Sequence, residues 1–152
     1  MGQIQLETFI EAPPERCFDL SLSVLLHLES AAETGERVIN GREAGLFEAG
    51  DRVTWEARHL GIRKRLSVEI TAVDRPRSFR DEMTRGPFRY MGHDHRFEAR
   101  DGTLMVDAFE VAMFPLFDAL VLRPHLRRFL VIRNDTIKRV AEGDDWARFL
   151  NE

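Results

Sequence analysis

The 152-residue sequence contains a single cysteine, Cys17, and no long run of apolar residues. One cysteine excludes an intrachain disulfide and a cysteine-based zinc cluster, and it is typical of proteins in a reducing cytosol. No stretch approaches the ~18 consecutive apolar residues of a membrane span, and residues 1–16 lack the basic and apolar regions of a signal peptide. We therefore expect a cytoplasmic protein without stable membrane insertion.

The sequence also lacks a strong excess of either charge. Its 22 basic and 26 acidic residues give a net charge of -4, which provides no field that would attract a nucleic acid or an anionic membrane. We expect no nucleic-acid partner. The length predicts one domain over residues 1–152 with a substantial core, and it leaves open whether the protein is a monomer or a homodimer.

The clearest pattern in the chain is an amphipathic helix over residues 124–142. Its apolar residues recur at steps of three and four, which places them on one face: Leu126, Phe129, Leu130, Ile137, Val140 and Ala141. Pro124 suits the first turn of this helix, and Gly143 suits the position just past its end. The pattern predicts a long C-terminal helix with one buried face.

Most of the remaining chain has the alternation of β-strands. Residues 3–11 predict a first strand, and two short helices follow, one beginning at Pro14 and one capped by Ser23. Further strands are predicted at residues 36–40, 52–60, 62–74, 78–83, 88–99 and 103–113, with a short apolar helix at residues 116–122. This order predicts an α+β fold with a seven-stranded antiparallel sheet against the long helix.

Turn lengths fix the expected pairing of these strands. A tight turn at Gly61 pairs His59 with Ile62 and puts Trp55 on the same face as Val68. A three-residue loop of Arg100, Asp101 and Gly102, with glycine in the left-handed position, puts Phe97 opposite Met105 and His95 opposite Asp107. The preceding turn places Asp81 opposite His93 and Met83 opposite Met91. A two-residue loop of Asp101 and Gly102 would instead turn Asp107 to solvent.

The predicted sheet is wider than its helix. Seven strands at ~4.8 Å span roughly 34 Å, whereas a helix is only ~10 to 12 Å wide. The sheet must therefore curve around the helix and leave a space for side chains, loops or a ligand.

Several short motifs, taken in order, resemble those of the START-like or SRPBCC superfamily, which includes polyketide cyclases and aromatases. They are Ala12-Pro13-Pro14-Glu15 before Cys17-Phe18-Asp19-Leu20, Gly50-Asp51, Gly102-Thr103, and Arg133-Asn134 to Ala141-Glu142. The resemblance spans nearly the whole chain. It implies a helix-grip fold with a deep apolar cavity that holds lipids, polyketides, hormones or other hydrophobic ligands, and it implies no single reaction.

Alternation places Asp81, His93, His95 and Asp107 on the concave face of the sheet among Met and Phe side chains. Buried carboxylates need partners, so we expect each Asp to be coupled to a His. Such a cluster is either a self-satisfied buried network or a set of polar anchors for a ligand. A metal site lacks a well-spaced further ligand, and an Asp-His general base lacks a nucleophile signature beside it.

The sequence therefore predicts a protein that binds a small hydrophobic or amphipathic molecule between the sheet and the helix. A cyclase- or aromatase-like enzyme that uses the same Asp and His residues, and an interaction module with a filled interior, remain as alternatives. We expect no cofactor, no metal and no catalytic residue. The predicted ligand-binding residues are Trp55, Asp81, Met83, Met91, His93, His95, Phe97, Met105, Asp107, Phe109, Val111, Phe129 and Asn134.

Overall fold

Seven strands and three α-helices make up most of the chain. A computed structural model describes residues 2–112 and 118–150. The strands are β1 (Gly2–Ile10), β2 (Arg37–Asn40), β3 (Arg52–His59), β4 (Ile62–Asp74), β5 (Ser78–Arg85), β6 (Tyr90–Ala99) and β7 (Thr103–Ala112). The helices are α1 (Pro14–Ser21), α2 (Val24–Ser30) and α3 (Arg123–Glu142), with 3₁₀ turns at Ala32–Thr34 and Trp146–Phe149.

The strands form one antiparallel sheet in the order β1-β7-β6-β5-β4-β3-β2. Strands β2 to β7 follow one another as a meander, and β1 adds to the free edge of β7. The predicted α+β arrangement, with two short helices after the first strand and a long helix at the end, is confirmed. Met113 at the end of the last predicted strand and residues 116–117 of the predicted apolar helix lie outside the described residues. Asp118–Leu122 form a turn of π-helix that leads into α3.

The β3–β4 hairpin has the predicted register, with His59 paired to Ile62. Its two loop residues, Leu60 and Gly61, have φ angles of 53° and 79°. Two consecutive positive φ angles define the turn that matches the twist of a two-residue hairpin, and Asn-Gly is the sequence that most often adopts it. Leucine at the first position is therefore unusual, and its side chain is 49% exposed.

The β6–β7 loop has the predicted three residues, and it pairs Phe97 with Met105 and His95 with Asp107. Gly102 has a positive φ of 130°, as expected, and Asp101 has a positive φ of 57° as well. Aspartate tolerates the left-handed conformation better than most residues. Gly102 is needed for another reason too, since a Cβ there would lie 2.7 Å from the carbonyl oxygen of Ile10.

Helix α3 packs along the sheet edge that contains β1. Its buried residues include the predicted apolar residues Leu126, Leu130, Ile137, Val140 and Ala141, and two polar residues, Arg133 and Asn134. Lys138 Nζ donates to the carbonyl oxygen of Phe9 at 2.6 Å, which attaches the helix to β1. Because β1 is an edge strand, α3 leaves the concave faces of β3 to β6 uncovered.

On the convex face, Glu56 holds β2, β3 and β4 together. Its carboxylate accepts hydrogen bonds from Arg37 at 2.6 Å, Arg65 at 2.9 Å and Arg63 at 3.3 Å, and the residue is only 4% exposed. The hydrogen bonds from Arg37 and Arg65 lower the pKa of Glu56 to about 2. The carboxylate is therefore ionised at neutral pH.

In the part of the chain that the structure describes, no helix combines the length and the apolar composition needed to cross a lipid bilayer.

Candidate functional site

A cavity of about 310 Å³ lies between α3 and the uncovered concave face of the sheet. Alternation directs one side-chain set of each strand toward it, and most of that set is apolar. The apolar wall includes Val53, Trp55 and Ala57 of β3, Leu66, Val68 and Ile70 of β4, and Leu126, Phe129 and Leu130 of α3. The space predicted from the width of the sheet is therefore present, and it is not filled by side chains.

The structure divides the predicted ligand-binding residues into two groups. The cavity wall contains Trp55, Asp81, Met91, His93, His95, Phe109 and Phe129. The remaining six do not line it: Met83, Phe97, Met105, Asp107, Val111 and Asn134. Phe97, Met105 and Val111 belong to the hydrophobic core, Met83 packs at its edge, and Asp107 and Asn134 are buried behind the wall.

The side-chain pairs in the cavity wall run diagonally between strands. By backbone register, Asp81 is opposite His93, and His95 is opposite Asp107. The hydrogen bonds instead join His95 Nε2 to Asp81 Oδ2 and His93 Nε2 to Asp107 Oδ1, both at 2.7 Å. Diagonal neighbours on a sheet face are within reach of long side chains. Each His is coupled to an Asp, as predicted, but not to the Asp directly opposite it in the sheet. His93 bonds to Asp107, and His95 bonds to Asp81.

Asp107 has no exposed surface and is the centre of the buried hydrogen bonds. Its Oδ1 accepts from His93 and, at 3.3 Å, from Arg133 Nη1, and its Oδ2 accepts from Asn134 Nδ2 at 2.7 Å. Burial alone would raise the pKa of Asp107, but the hydrogen bond from His93 and the charge of Arg133 outweigh it and lower the pKa below its ordinary value. Asp107 is therefore an ionised and fully bonded residue.

Arg133 fixes the protonation of His95. Arg133 Nη2 lies 3.2 Å from His95 Nδ1, and a guanidinium can only donate hydrogen bonds. His95 Nδ1 must therefore accept, so its proton is on Nε2, which donates to Asp81. Burial, followed by the neighbouring ring of His93, lowers the pKa of His95 to about 4, which agrees with a neutral imidazole.

Asp81 is the second carboxylate bonded to a histidine of the wall. Burial tends to raise its pKa, but the hydrogen bond from His95, with smaller contributions from the other groups of the cluster that include Arg133, outweighs this and lowers the pKa. We name the group Asp81, His93, His95, Asp107, Arg133 and Asn134 the polar cluster. Its two imidazole rings stack on each other with centroids 3.6 Å apart, and Phe79 stacks on the outer side of His95 at 3.9 Å. The rings are held in place by their neighbours on both sides.

Sequence reasoning missed several residues of the site. Arg133 is the most important, and its spacing from Leu130 and Ile137 already placed it on the buried stripe of α3. A charged residue is usually on the solvent face of a helix, and the buried partner that compensates the charge of Arg133, Asp107, is far away in sequence. The other missed wall residues include Phe47, Phe79, His27, Glu36 and His125.

Exposed wall residues mark the mouth of the cavity. Leu60, Ile62 and Lys64 are exposed and lie on the β3–β4 hairpin. His59 is half-buried there, with Nδ1 2.9 Å from Nε2 of His125 on α3. The pKa of each of these histidines is lowered, for His59 mainly by burial and then by His125. Further along the wall, His27 stacks on Trp55 with ring centroids 4.1 Å apart.

The polar cluster is a poor metal site. Asp81, His93 and His95 each place one ligand atom within 4.8 Å of the others, which is the spacing a metal ion needs. However, both nitrogens of His95 already have partners, and the guanidinium of Arg133 next to it would repel a cation. The geometry favours hydrogen bonding to an organic group over metal ligation.

No family model matches the chain, and comparison with curated proteins gives no match. Solved structures do match. Protein CV1439 of Chromobacterium violaceum has a TM-score of 0.72 and 16% identity, with 93% of this chain and 98% of that chain covered. Ginseng major latex-like protein 151 from Panax ginseng has a TM-score of 0.71 and 14% identity over 93% and 98% of the two chains.

A third solved structure, the protein TTHA0849 of Thermus thermophilus, has a TM-score of 0.68 and 20% identity, with 90% of this chain and 97% of that chain covered. The fold is therefore the helix-grip fold of Bet v1-like proteins. At such identities the likeness is one of fold, and the function has to be argued from the cavity.

Proposed function

We propose that this protein binds a small, largely apolar molecule in the cavity between α3 and the sheet. The observation that supports this most strongly is the cavity itself, which has a volume of about 310 Å³, an apolar wall and a few ionisable side chains held in fixed positions. An apolar pocket with a small number of well-placed polar groups is the usual form of a small-molecule site. We expect Asp81, His93 and His95 to contact the polar part of the ligand.

The size and lining of the cavity narrow the class of ligand. Ligand pockets commonly span about 300 to 1,000 Å³, so this one is at the small end of the range. Trp55, Phe79, Phe109 and Phe129 contribute aromatic faces and edges to the wall. Among lipids, polyketides and aromatic compounds, these features favour a compact aromatic or polyketide-like molecule over a long-chain lipid.

Binding is favoured over proton-transfer catalysis of the cyclase or aromatase kind. Both ring nitrogens of His95 already have partners, and Asp107 accepts three hydrogen bonds away from the cavity. A general base needs an accessible lone pair within reach of the substrate, which neither group offers. Asp81 does line the cavity, but its lowered pKa makes its carboxylate a weak base. The third alternative, an interaction module, required an interior filled with side chains, and the cavity contradicts this requirement.

A cavity-filling variant tests the proposal. Ala57 lies in the apolar wall and is 5% exposed, so Ala57→Phe would place a ring inside the cavity. We expect the affinity for N-phenylnaphthylamine, a neutral probe that fluoresces in apolar surroundings, to fall about tenfold or more, because overpacking costs about 1 to 3 kcal/mol. Fluorescence titration measures the affinity, and native mass spectrometry checks for one probe per chain.

Arg58→Phe is the matched control. It adds the same ring to the same strand, but at an exposed position on the opposite face of the sheet. We expect the control to bind the probe like the unmodified protein. Equal binding by all three proteins, or no binding by the unmodified protein, would count against a ligand in this cavity.

A further inference from the structure

The two carboxylates of the polar cluster differ in their partners. Arg133 neutralises Asp107, to which it donates a hydrogen bond at 3.3 Å, and both side chains are buried. His95 is held in its neutral form, because its Nδ1 accepts from Arg133. The carboxylate of Asp81, by contrast, has no ion pair with an Arg or Lys side chain among residues 2–112 and 118–150, and its hydrogen-bond partner is the neutral His95.

Asp81 also has an unused oxygen. Its Oδ2 accepts from His95 Nε2 at 2.7 Å, whereas Oδ1 forms no hydrogen bond with residues 2–112 or 118–150. Asp81 is two positions from Phe79, so both side chains are on the concave face of β5. The Asp81 side chain is 17% exposed, and it lines the cavity.

A carboxylate oxygen in an apolar enclosure is costly unless a donor reaches it. We propose that the cavity selects ligands whose apolar body carries a hydrogen-bond donor, a hydroxyl group or a protonated amine, which binds Asp81 Oδ1. Ligands that end in a carboxylate are disfavoured, since two like charges would meet in a space with little water. This inference rests on the proposed function and adds the chemical class of the ligand to it.

Four compounds with the same ring system test the inference: naphthylmethylamine, naphthylmethanol, methylnaphthalene and naphthoate. Each differs from the others only in the group at one ring position. We expect the amine and the alcohol to bind about tenfold or more tighter than methylnaphthalene, because a hydrogen bond to a charged group contributes about 1.5 to 3 kcal/mol. Naphthoate should bind more weakly than methylnaphthalene. Competition against bound N-phenylnaphthylamine gives all four affinities.

Asp81→Asn removes the charge while keeping an oxygen that can accept from His95. This variant should lose the preference for the amine and bind naphthoate more tightly than the unmodified protein does. Glu82→Gln is the control, because it removes the same charge from the neighbouring position of β5, whose side chain is on the other face and lies 3.5 Å from Arg80. The control should keep the original order of affinities.

The outcomes separate this inference from the proposal on which it rests. If methylnaphthalene binds but all four compounds bind alike, or naphthoate binds tightest, the selection by Asp81 is wrong and binding in the cavity stands. If none of the four compounds binds, the proposed function fails as well. Should Asp81→Asn not fold, the carbon-13 NMR signal of the Asp81 carboxyl group in the unmodified protein decides, since only direct contact with the amine would shift it specifically.

Discussion

At the scale of single residues, Arg133 determines how the polar cluster is protonated. It is 6% exposed, and its donors reach Asp107, Asn134 and His95. Removing one partner of a buried charge pair is costly, because the other charge is left without compensation. The neutral state of His95 is thus a consequence of a residue on another element and not of His95 itself.

This protonation has a consequence for stability at mildly acidic pH. The pKa of His95 is about 4 in the folded protein, whereas it is about 6.5 in an unfolded chain. Between these values the unfolded chain binds a proton that the folded chain does not, so the free energy of unfolding falls as the pH decreases through this range. We expect His95 to account for a loss of about 2 to 3 kcal/mol between about pH 7 and pH 4.5.

His95→Gln is the variant that measures this contribution. Its side-chain amide can donate to Asp81 and accept from Arg133, but it does not titrate. Urea unfolding at both pH values should show a smaller loss of stability in the variant than in the unmodified protein. His59 and His125, whose pKa values are also lowered, keep their contributions in both proteins. An identical loss in the two proteins would mean that His95 is not the source of the acid sensitivity.

At the scale of elements, the β3–β4 hairpin combines an unfavourable backbone with an apolar tip. Leu60 has a φ of 53°, a conformation that side chains other than Asn and Asp seldom adopt, and its side chain lies at the mouth of the cavity. Residues held in such conformations cluster at functional sites. Leucine at position 60 therefore provides apolar surface at the mouth of the cavity, although its side chain is unfavourable for the backbone conformation of the turn.

Leu60→Asn should separate these two effects. Asparagine followed by glycine is the preferred sequence for this turn, so we expect the free energy of unfolding to rise by about 1 kcal/mol. The affinity for N-phenylnaphthylamine should fall, because apolar surface is lost at the mouth. Chemical denaturation and fluorescence titration measure the two quantities.

Ile62→Asn serves as the comparison for this variant. Ile62 is 56% exposed, lines the same mouth and belongs to a regular strand. Its replacement should weaken probe binding without any gain in stability. A gain of similar size in both variants would mean that the backbone of Leu60 is not the cause.

At the scale of the whole molecule, a ligand bound in the cavity should increase the stability of the folded protein. A ligand at about 100 times its dissociation constant adds about 2.7 kcal/mol to the free energy of unfolding when it binds only the folded state. For a domain of this length, the melting temperature should rise by roughly 5 to 10 °C. Differential scanning calorimetry with naphthylmethylamine measures the shift, and Ala57→Phe should show little of it. Saturation without any shift would mean that the ligand binds the unfolded chain as tightly as the folded one, which would contradict binding in the cavity.

Much of this molecule follows from local sequence rules. Alternation and turn length predicted all seven strands, and they predicted the pairing of His59 with Ile62 and of His95 with Asp107. The buried stripe of α3 followed from three- and four-residue spacing. These features depend on neighbours in sequence or on one tight turn, so the sequence alone is sufficient to predict them.

The details of the site depend on contacts between distant residues, and these were not predictable in the same way. The diagonal pairing of His93 with Asp107 depends on side-chain rotamers, because register brings two acceptors within reach of each imidazole. The burial of Arg133 depends on a carboxylate 26 positions earlier in the chain. The positive φ of Leu60 opposes its own preference, and it is imposed by the two-residue turn that joins β3 to β4.

The position of Arg133 and Asn134 so late in the chain affects the order in which the protein acquires its properties. Both residues donate to Asp107 on β7, and Arg133 also orients His95 on β6. During synthesis on the ribosome, the sheet can emerge and pair before either donor exists, and until then Asp107 has only His93 as a hydrogen-bond donor. Competence to bind is thus acquired only after α3 has been synthesised, and a product terminated before α3 would lack one side of the cavity wall together with the groups that set its chemistry.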